Sequence, residues 1–358
     1  MFNLSQKPFG LDISDYSIEI ISLGGSIEKP SLLAMTGTVL EPGIVEDSQI
    51  LDKEKLRGSL ENLMKNPDFG RIKTKKIIFS IPESKTFVHI FELPQGLNRQ
   101  KEREFINSQA EKTFPYPLKE LSLDFRISGK EVLLVAASKN IINGFLEVFK
   151  NCKLQPLALD IESASLATAL IDKRDIPVLI VDIGTRTSDF SVFNEKGLRI
   201  SISFEVAGNS FTQALSEKLK ISFREAEILK KEIGLNPGPR QGKVFLVLQK
   251  EIQTIIQQIR EVEDYFWGKE GRKIEKIILA GGSAMLPHLP EYLSDNLEKE
   301  VTIGDPWEKV NIDILKKKEY FKKALQVNPV LYSTVVGSAL RGLAKNPEKA
   351  GINLLKAF

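Results

Sequence analysis

Two short segments of this chain place a carboxylate where an apolar strand runs into a turn of small residues. One is Phe9-Gly10-Leu11-Asp12-Ile13-Ser14-Asp15-Tyr16-Ser17; the other is Leu179-Ile180-Val181-Asp182-Ile183-Gly184-Thr185-Arg186-Thr187-Ser188. Such a turn exposes consecutive backbone N–H groups that suit phosphate oxygens, and an Asp at the strand end suits a hydrated divalent cation. The second turn is the stronger, because Gly184 permits close backbone approach and Arg186 suits a phosphate or carboxylate. A third element, Lys276 to Ser283, is a strand reaching a Gly281-Gly282 turn; a flat ligand can lie against it, and Ser283 is placed to cap a helix near Ala284 to Glu291. A fourth, Ser222 to Gly234, opens on a Ser222/Glu225 capping box and stops at a glycine, which predicts a helix. On it Glu227, Lys230 and Lys231 share one face, and Ala226, Leu229 and Ile233 the other. Singly, each has an ordinary reading as a surface hairpin, a strand-to-helix loop or an exposed ion pair. Two facing turns, however, can clamp a polyphosphate.

The positions of these turns expose an internal repeat. Aligning Asp12 with Asp182 matches the apolar residues before each Asp, the Ile after it, the small residue next, and an alternating strand beyond (Ile18, Ile20; Phe190, Val192). Strands at Ser17 to Leu23 and Leu32 to Val39 lead to an apolar-faced helical stretch from Gln49 to Lys65. Strands at Ser188 to Phe193 and Leu198 to Ser203 lead likewise to a helix near Ser210 to Leu219. Between the copies, strand-like Lys76 to Ile81 and Phe87 to Leu93, a charged helix from Arg99 to Lys112, and strands Leu121 to Ile127 and Val132 to Ala137 read as a small α+β insert at about 75–138. The 3.6-residue period of Ile252, Ile255, Ile256, Ile259, Val262 and Phe266 predicts a core helix from Lys250 to Phe266.

Composition excludes several classes. The 358 residues suit two domains; 50 Lys+Arg against 47 Asp+Glu give a net charge of +3, and 42% apolar residues suffice for real cores. No stretch approaches the roughly 18 consecutive apolar residues of a membrane span. The start, MFNLSQKPFG, lacks the order of a secretory signal. One cysteine, Cys152, forms no internal disulfide, and two histidines, His89 and His288, make no His-rich metal site. A cytoplasmic, soluble protein is expected. The Lys316-Lys317-Lys318 and Lys322-Lys323 cluster is interrupted by Glu319 beside Asp313, so a solvated helix face is expected there rather than nucleic-acid binding.

Taken together, the four elements resemble the actin-like ATPase superfamily in order and spacing, with crossover helices at Asp160 to Ala167 and Val336 to Gly342; the resemblance covers nearly the whole chain. Within it, the insert, the length and the tail Gly351-Ile352-Asn353-Leu354-Leu355 are most similar to the PilM family of type IV pilus assembly proteins. The FtsA family of cell-division proteins is the nearest rival. The resemblance implies an α/β, actin-like (ribonuclease H-like), duplicated two-lobed fold. Residues 1–172 would form a first lobe carrying the insert, and residues 173–358 a second lobe whose C-terminal helix crosses back to the first. ATP and Mg²⁺ would lie between the lobes, with Asp12 and Asp182 orienting the hydrated metal. Ser14, Asp15, Ser17, Gly184, Thr185, Arg186, Thr187 and Gly208 would stand near the phosphates; Glu227, Lys230 and Lys231 near ribose and adenine; Gly281, Gly282 and Ser283 under the base. Glu162 falls where superfamily ATPases position the attacking water. Ser14-Asp15 departs from the family's Gly followed by hydroxyl residues, and a carboxylate beside phosphates repels them; weak ATP binding, and hydrolysis that is slow at most, are expected.

The role implied is a cytoplasmic scaffold at the inner face of the cytoplasmic membrane. It would hold the N-terminal cytoplasmic tail of a PilN-type inner-membrane protein and be linked indirectly to the pilus assembly motor ATPase; a homo-oligomer is compatible with it. In the family that tail carries an Ile-Asn-Leu-Leu-Pro-like segment in a groove between the first lobe and the insert. Ile352-Asn353-Leu354-Leu355 resembles that segment, so the C-terminus either mimics it and competes for the groove or is a frayed end with a chance match. An FtsA-like filament-forming membrane tether ranks second, because residues 346–358 are short for a linker plus an amphipathic helix. A small-molecule kinase ranks third, since Asp189 lies deep in its strand and no Walker motif is present.

Overall fold

The computed structural model describes residues 7–172, 177–238, 242–316 and 328–355. The chain divides into two units, Met1–Ala169 with Pro306–Val327 and Thr334–Phe358, and Leu170–Asp305 with Asn328–Ser333. The lysine cluster at 316–323 lies outside the residues whose side chains are described.

The first unit begins with β1 (Phe9–Ile13), β2 (Ser17–Ser26) and β3 (Lys29–Val39), a small hairpin of β4 (Val45–Glu46) and β5 (Gln49–Ile50), and helix α1 (Lys53–Lys65). Asp52 caps α1 by accepting the Lys55 N–H. Then come β6 (Phe69–Gly70), β7 (Lys76–Ile81), β8 (Thr86–Glu92), α2 (Arg99–Thr113), β9 (Leu121–Ser128), β10 (Glu131–Ser138), α3 (Lys139–Asn151), β11 (Gln155–Ile161) and α4 (Glu162–Leu170). One six-stranded sheet has the order β11-β7-β1-β2-β3-β6, with β7 and β11 parallel to β1 and the hairpin strands antiparallel.

The insert is a separate three-stranded sheet, β8-β10-β9. Strand β7, expected to belong to it, pairs instead with β1 and β11. All of its residues after Lys76 are buried, as a central strand covered on both faces requires. The insert thus starts after Ile81. Its strands alternate faces, so cross-strand partners share one. Phe87, Ala136 and Leu123, like Phe91 and Val132, pack against Ile106, Ala110 and Phe114 of α2 and its flank. The opposite face carries Ser122, Asp124 and Arg126 on edge strand β9.

The second unit is built from β12 (Val178–Ile183), β13 (Ser188–Asn194), β14 (Gly197–Phe204), α5 (Gly208–Leu219), α6 (Phe223–Ile233), α7 (Lys243–Glu270), β15 (Lys276–Ala280), α8 (Leu289–Leu297) and β16 (Glu300–Ile303). Its sheet, β14-β13-β12-β15-β16, repeats the first pattern: a central strand with an antiparallel hairpin partner on one side and a parallel strand on the other. The α6 capping box forms as read, with Ser222 Oγ accepting the Glu225 N–H and Glu225 accepting the Ser222 N–H. Helix α7 runs longer than expected because Val244 and Leu248 extend its buried stripe by two turns; it ends at Gly271 with φ 65°. After β15 comes a 3₁₀ turn, Gly282–Met285, and α8 starts only at Leu289.

The short α9 (Asp313–Lys316) and then α10 (Ser333–Gly342) complete the helices. Helix α10 packs on β1 and α4 at glycine contacts. A Cβ on Gly10 would lie 2.3 Å from Val335 O, and one on Gly337 would lie 1.8 Å from Ser165 O. Beside that crossing, the buried hydroxyls of Ser80, Ser165 and Ser338 close a triangle of hydrogen bonds at 2.7, 2.9 and 3.1 Å.

Candidate functional site

In the second unit the sequence-predicted residues come together. The Gly184–Thr187 turn joins β12 to β13 and is closed by Gly184 N–H donating to Thr187 O at 2.9 Å. Gly184 O in turn accepts from Gly208 N–H at 3.1 Å and from Ser283 Oγ at 3.2 Å, while Thr185 O accepts from Asn209 N–H at 2.8 Å. These bonds fasten the turn to the start of α5 and to the Gly281-Gly282 turn. Gly281, at φ 78°, is required by the protein itself, since a Cβ there would stand 2.2 Å from Asp182 Oδ1. Gly208 is likewise hemmed in, with Ser283 Oγ 2.6 Å from where a Cβ would be. Arg186 is exposed at the tip of the turn.

Lys230 is buried beneath this arrangement. Its ammonium donates to Gly208 O and Thr212 Oγ1, both at 2.8 Å, and contacts Glu227 Oε2 at 2.7 Å. Three acceptors take its three protons, so Lys230 positions Glu227 and the start of α5. Burial pulls its pKa down against the favourable Glu227 charge. Burial also acts to raise Glu227, but its bonds from Lys230, Thr212 and Lys231 outweigh this and hold the carboxylate below its ordinary value. Glu227 keeps 29% side-chain exposure, and exposed Lys231 pairs with its other oxygen at 3.0 Å. Thr212, the hydroxyl that links α5 to this pair, was not read from sequence; its signal was the four-residue spacing from Gly208.

In the first unit the turn after β1 is held by its own side chain. Ser14 Oγ accepts from Tyr16 N–H at 3.2 Å and Ser17 N–H at 3.0 Å, and Ser14 N–H donates to Ser17 O at 2.9 Å. Asp15 reaches the hairpin of β4 and β5. Its oxygens accept from Asp47 N–H at 2.7 Å and Ser48 N–H at 2.8 Å, capping a turn whose two residues both have positive φ. Glu162 stands at the start of α4, where Oε2 accepts from Glu83 N–H at 3.2 Å. Buried Glu83, not anticipated, accepts from both Ser163 N–H and Ser163 Oγ at 3.0 Å and so caps α4.

Each hairpin also carries a second carboxylate seven residues after the first. Asp12 pairs across strands with Glu19, and Asp182 with Asp189. Burial lifts Asp12 to about 6. Burial and the neighbouring Asp12 charge push Glu19 well above its ordinary range. The equal spacing was visible in the sequence; its meaning required the strand register. Among the described residues no group of three or more His, Cys, Asp or Glu is arranged to hold a metal. A cation at Asp12 or Asp182 would depend on water and on a nucleotide's own phosphates, and the carboxylate-plus-turn donor sets fit that arrangement.

The duplicated hairpin sheets and the fastened Gly184, Gly208 and Gly281 turns define the actin-like ATPase fold. MreB 5 of Spiroplasma citri bound to AMPPNP superposes with a TM-score of 0.52 at 16% identity, covering 94% of this chain and 96% of that one. A sequence model described as type IV pilus assembly protein PilM matches residues 10–343, and the chain belongs to that family. A structure of a PilM–PilN type IV pilus biogenesis complex superposes with a TM-score of 0.80 at 21% identity, covering 94% of this chain and 99% of that one. The cell division protein FtsA of Bacillus subtilis (strain 168) is 26% identical over 220 residues, 53% of this chain and 47% of that protein. The chain thus spans about half the length of that curated relative. Among the described residues no helix is long and apolar enough to cross a membrane.

Proposed function

We propose that this chain is a nucleotide-binding scaffold of the type IV pilus assembly platform. It binds ATP with Mg²⁺ through the Asp12 and Asp182 turns and docks the N-terminal cytoplasmic tail of a PilN-type inner-membrane protein. Docking holds it at the inner face of the cytoplasmic membrane, and nucleotide state is passed to pilus assembly and, indirectly, to the motor ATPase. The observation that carries this reading is the interlocking of Gly184, Gly208, Gly281 and Ser283 in a chain matched by the family over residues 10–343.

Within the site, the Gly184–Thr187 turn and Arg186 would meet phosphates, Glu227 a ribose hydroxyl, and Gly281 to Ser283 the base. Glu162 is tied to Glu83 N–H, which favours binding over rapid hydrolysis. Titration calorimetry with ATP and Mg²⁺, and capture of the chain by an immobilised PilN-type cytoplasmic tail, test the two halves of the proposal. Absence of heat overturns nucleotide binding, and failure of capture overturns docking.

A further inference from the structure

The C-terminal residues are not frayed. Ile352, Asn353 and Leu354 are 4%, 3% and 1% exposed. They lie where the insert meets β11, the edge strand of the six-stranded sheet. An edge strand presents unpaired backbone groups that must be covered. Here the β11 ladder is irregular between Pro156 and Ala158, leaving Leu157 out of register. Asn353 serves this edge with both ends of its amide. Its Nδ2 donates to Leu157 O at 3.1 Å, and its Oδ1 accepts from Leu159 N–H at 3.1 Å and from Leu355 N–H at 3.2 Å. Leu354 N–H then donates to Leu159 O at 2.9 Å.

The opposite wall is the outer face of β9. Asp124 accepts the Asn353 N–H at 2.8 Å, Ser122 Oγ donates to Leu354 O, and Arg126 donates to the carbonyls of Lys349 and Gly351. Arg341, paired with Asp160, donates to Ile352 O at 2.6 Å. Nearly every polar contact therefore reads either the peptide backbone or one asparagine. A cavity of about 480 Å³ continues past Leu354 and Leu355, with Leu118, Ile142 and Leu146 on its apolar side and Lys119 and Lys139 among its lining residues.

We infer that the chain's own Ile352-Asn353-Leu354-Leu355 is a reversible plug, which occupies this groove in cis and holds it shut until a peptide from another protein displaces it. The trans ligand is a segment of the form aliphatic-Asn-Leu-Leu that continues into an acidic residue. Its Asn and backbone replace those of the tail, its leucines fill the same pockets, and its acidic residue complements the charge of Lys119 and Lys139 in the cavity lining; in this chain's own sequence the residue after Leu355 is a lysine, Lys356. The identity of that protein as the pilus membrane partner rests on the proposed function; the plug itself does not. A tether giving millimolar effective concentration to a tail of roughly 10 μM intrinsic affinity weakens apparent binding of a trans ligand about a hundredfold.

The test uses a fluorescein-labelled peptide of residues 350–358 with three chains: the intact protein, one ending at Lys349, and full-length Asn353→Ala. Anisotropy titration is expected to show at least tenfold tighter binding to the second and third than to the first. A peptide with Ala in place of its Asn should lose that binding, and one with Glu in place of its Lys should gain affinity in a salt-dependent way. Equal affinity for the intact and altered chains, or no binding to either altered chain while its circular dichroism is native, overturns the inference. Where the truncated chain does not fold, Asn353→Ala decides alone. A PilN-type tail that binds intact and altered chains equally removes the plug and leaves docking standing. If that tail binds none of them while the labelled peptide binds the altered chains, the plug is supported and docking by this partner fails.

Discussion

Replacing Lys230 by Met separates a buried positioning lysine from an exposed nucleotide-contacting one. The side chain of Lys230 is 8% exposed and engages Glu227, Thr212 and Gly208 O within 2.8 Å. Removing one partner of a buried, hydrogen-bonded ion pair costs about 3–5 kcal/mol, and the low end applies here, because Gly208 O and Thr212 Oγ1 lose a buried donor while Glu227 keeps Lys231 and partial exposure. Lys231 is the internal control. It pairs with the same carboxylate but its side chain is 62% exposed, and an exposed i,i+4 pair contributes about 0.5 kcal/mol or less. Thermal unfolding of the unliganded chain should therefore shift by about 10 °C for Lys230→Met and by roughly 1–2 °C for Lys231→Met. Adding Glu227→Gln to Lys230→Met should cost less than the sum of the two single changes by about 1.5 kcal/mol or more, since the pair is lost only once. Equal shifts for the two lysines, or additive behaviour in the cycle, would refute the assignment of Lys230 as the buried support of Glu227.

Asp12→Asn should stabilise the unliganded protein at pH 7 and change little at pH 3.5. The folded-state pKa is raised from 3.8 to about 6, so native carboxylate ionisation is unfavourable and stability falls as pH rises through that window; the gain from the substitution is on the order of a few kcal/mol, read by urea unfolding at the two pH values. Gly281→Ala places a Cβ 2.2 Å from Asp182 Oδ1 at φ 78°, and should lower fluorescent-ATP affinity at least tenfold in a titration of folded protein. Gly337→Ala forces α10 from the Ser165 carbonyl and should cost about 3 kcal/mol or more in denaturant unfolding, with the serine triangle broken.

Much of this architecture was legible because period and punctuation are local. The Ser222/Glu225 cap, the Gly234 stop and the strand-to-Asp turns follow from rules that act over four to seven residues, and each stands where it was read. Pairing is not local, and one reading failed on it. Strand β7 is apolar enough for either sheet, and only its parallel neighbours β1 and β11 assign it to the larger one. The hydrogen bonds that Asp15 accepts from Asp47 and Ser48, more than thirty positions away, were likewise not legible from its neighbours in sequence. Lys230 was correctly placed beside Glu227, whereas its burial depends on Thr212 and Gly208 of another helix.

The tail is the case in which sequence resemblance and local energetics bear on each other most directly. Burying Ile352 and Leu354 contributes about 3–6 kcal/mol by transfer of two aliphatic side chains. Some five hydrogen bonds from Asn353 and its neighbours add about 1 kcal/mol each. Ordering five residues, Gly351 to Leu355, costs about 5–10 kcal/mol in backbone freedom before any side chain is fixed. The terms nearly cancel, so the segment can be well placed and still open at low cost. A covalently continuous tail is favoured in its groove mainly by proximity, and a free peptide of matching pattern competes once its concentration approaches the effective concentration set by the tether. An edge cap meant to be permanent would gain from replacing Asn353 and its backbone-reading partners with larger apolar burial. Keeping Ser122, Asp124 and Arg126 on the outer face of β9 instead leaves a surface that discriminates by asparagine and main chain, the features a second protein can supply.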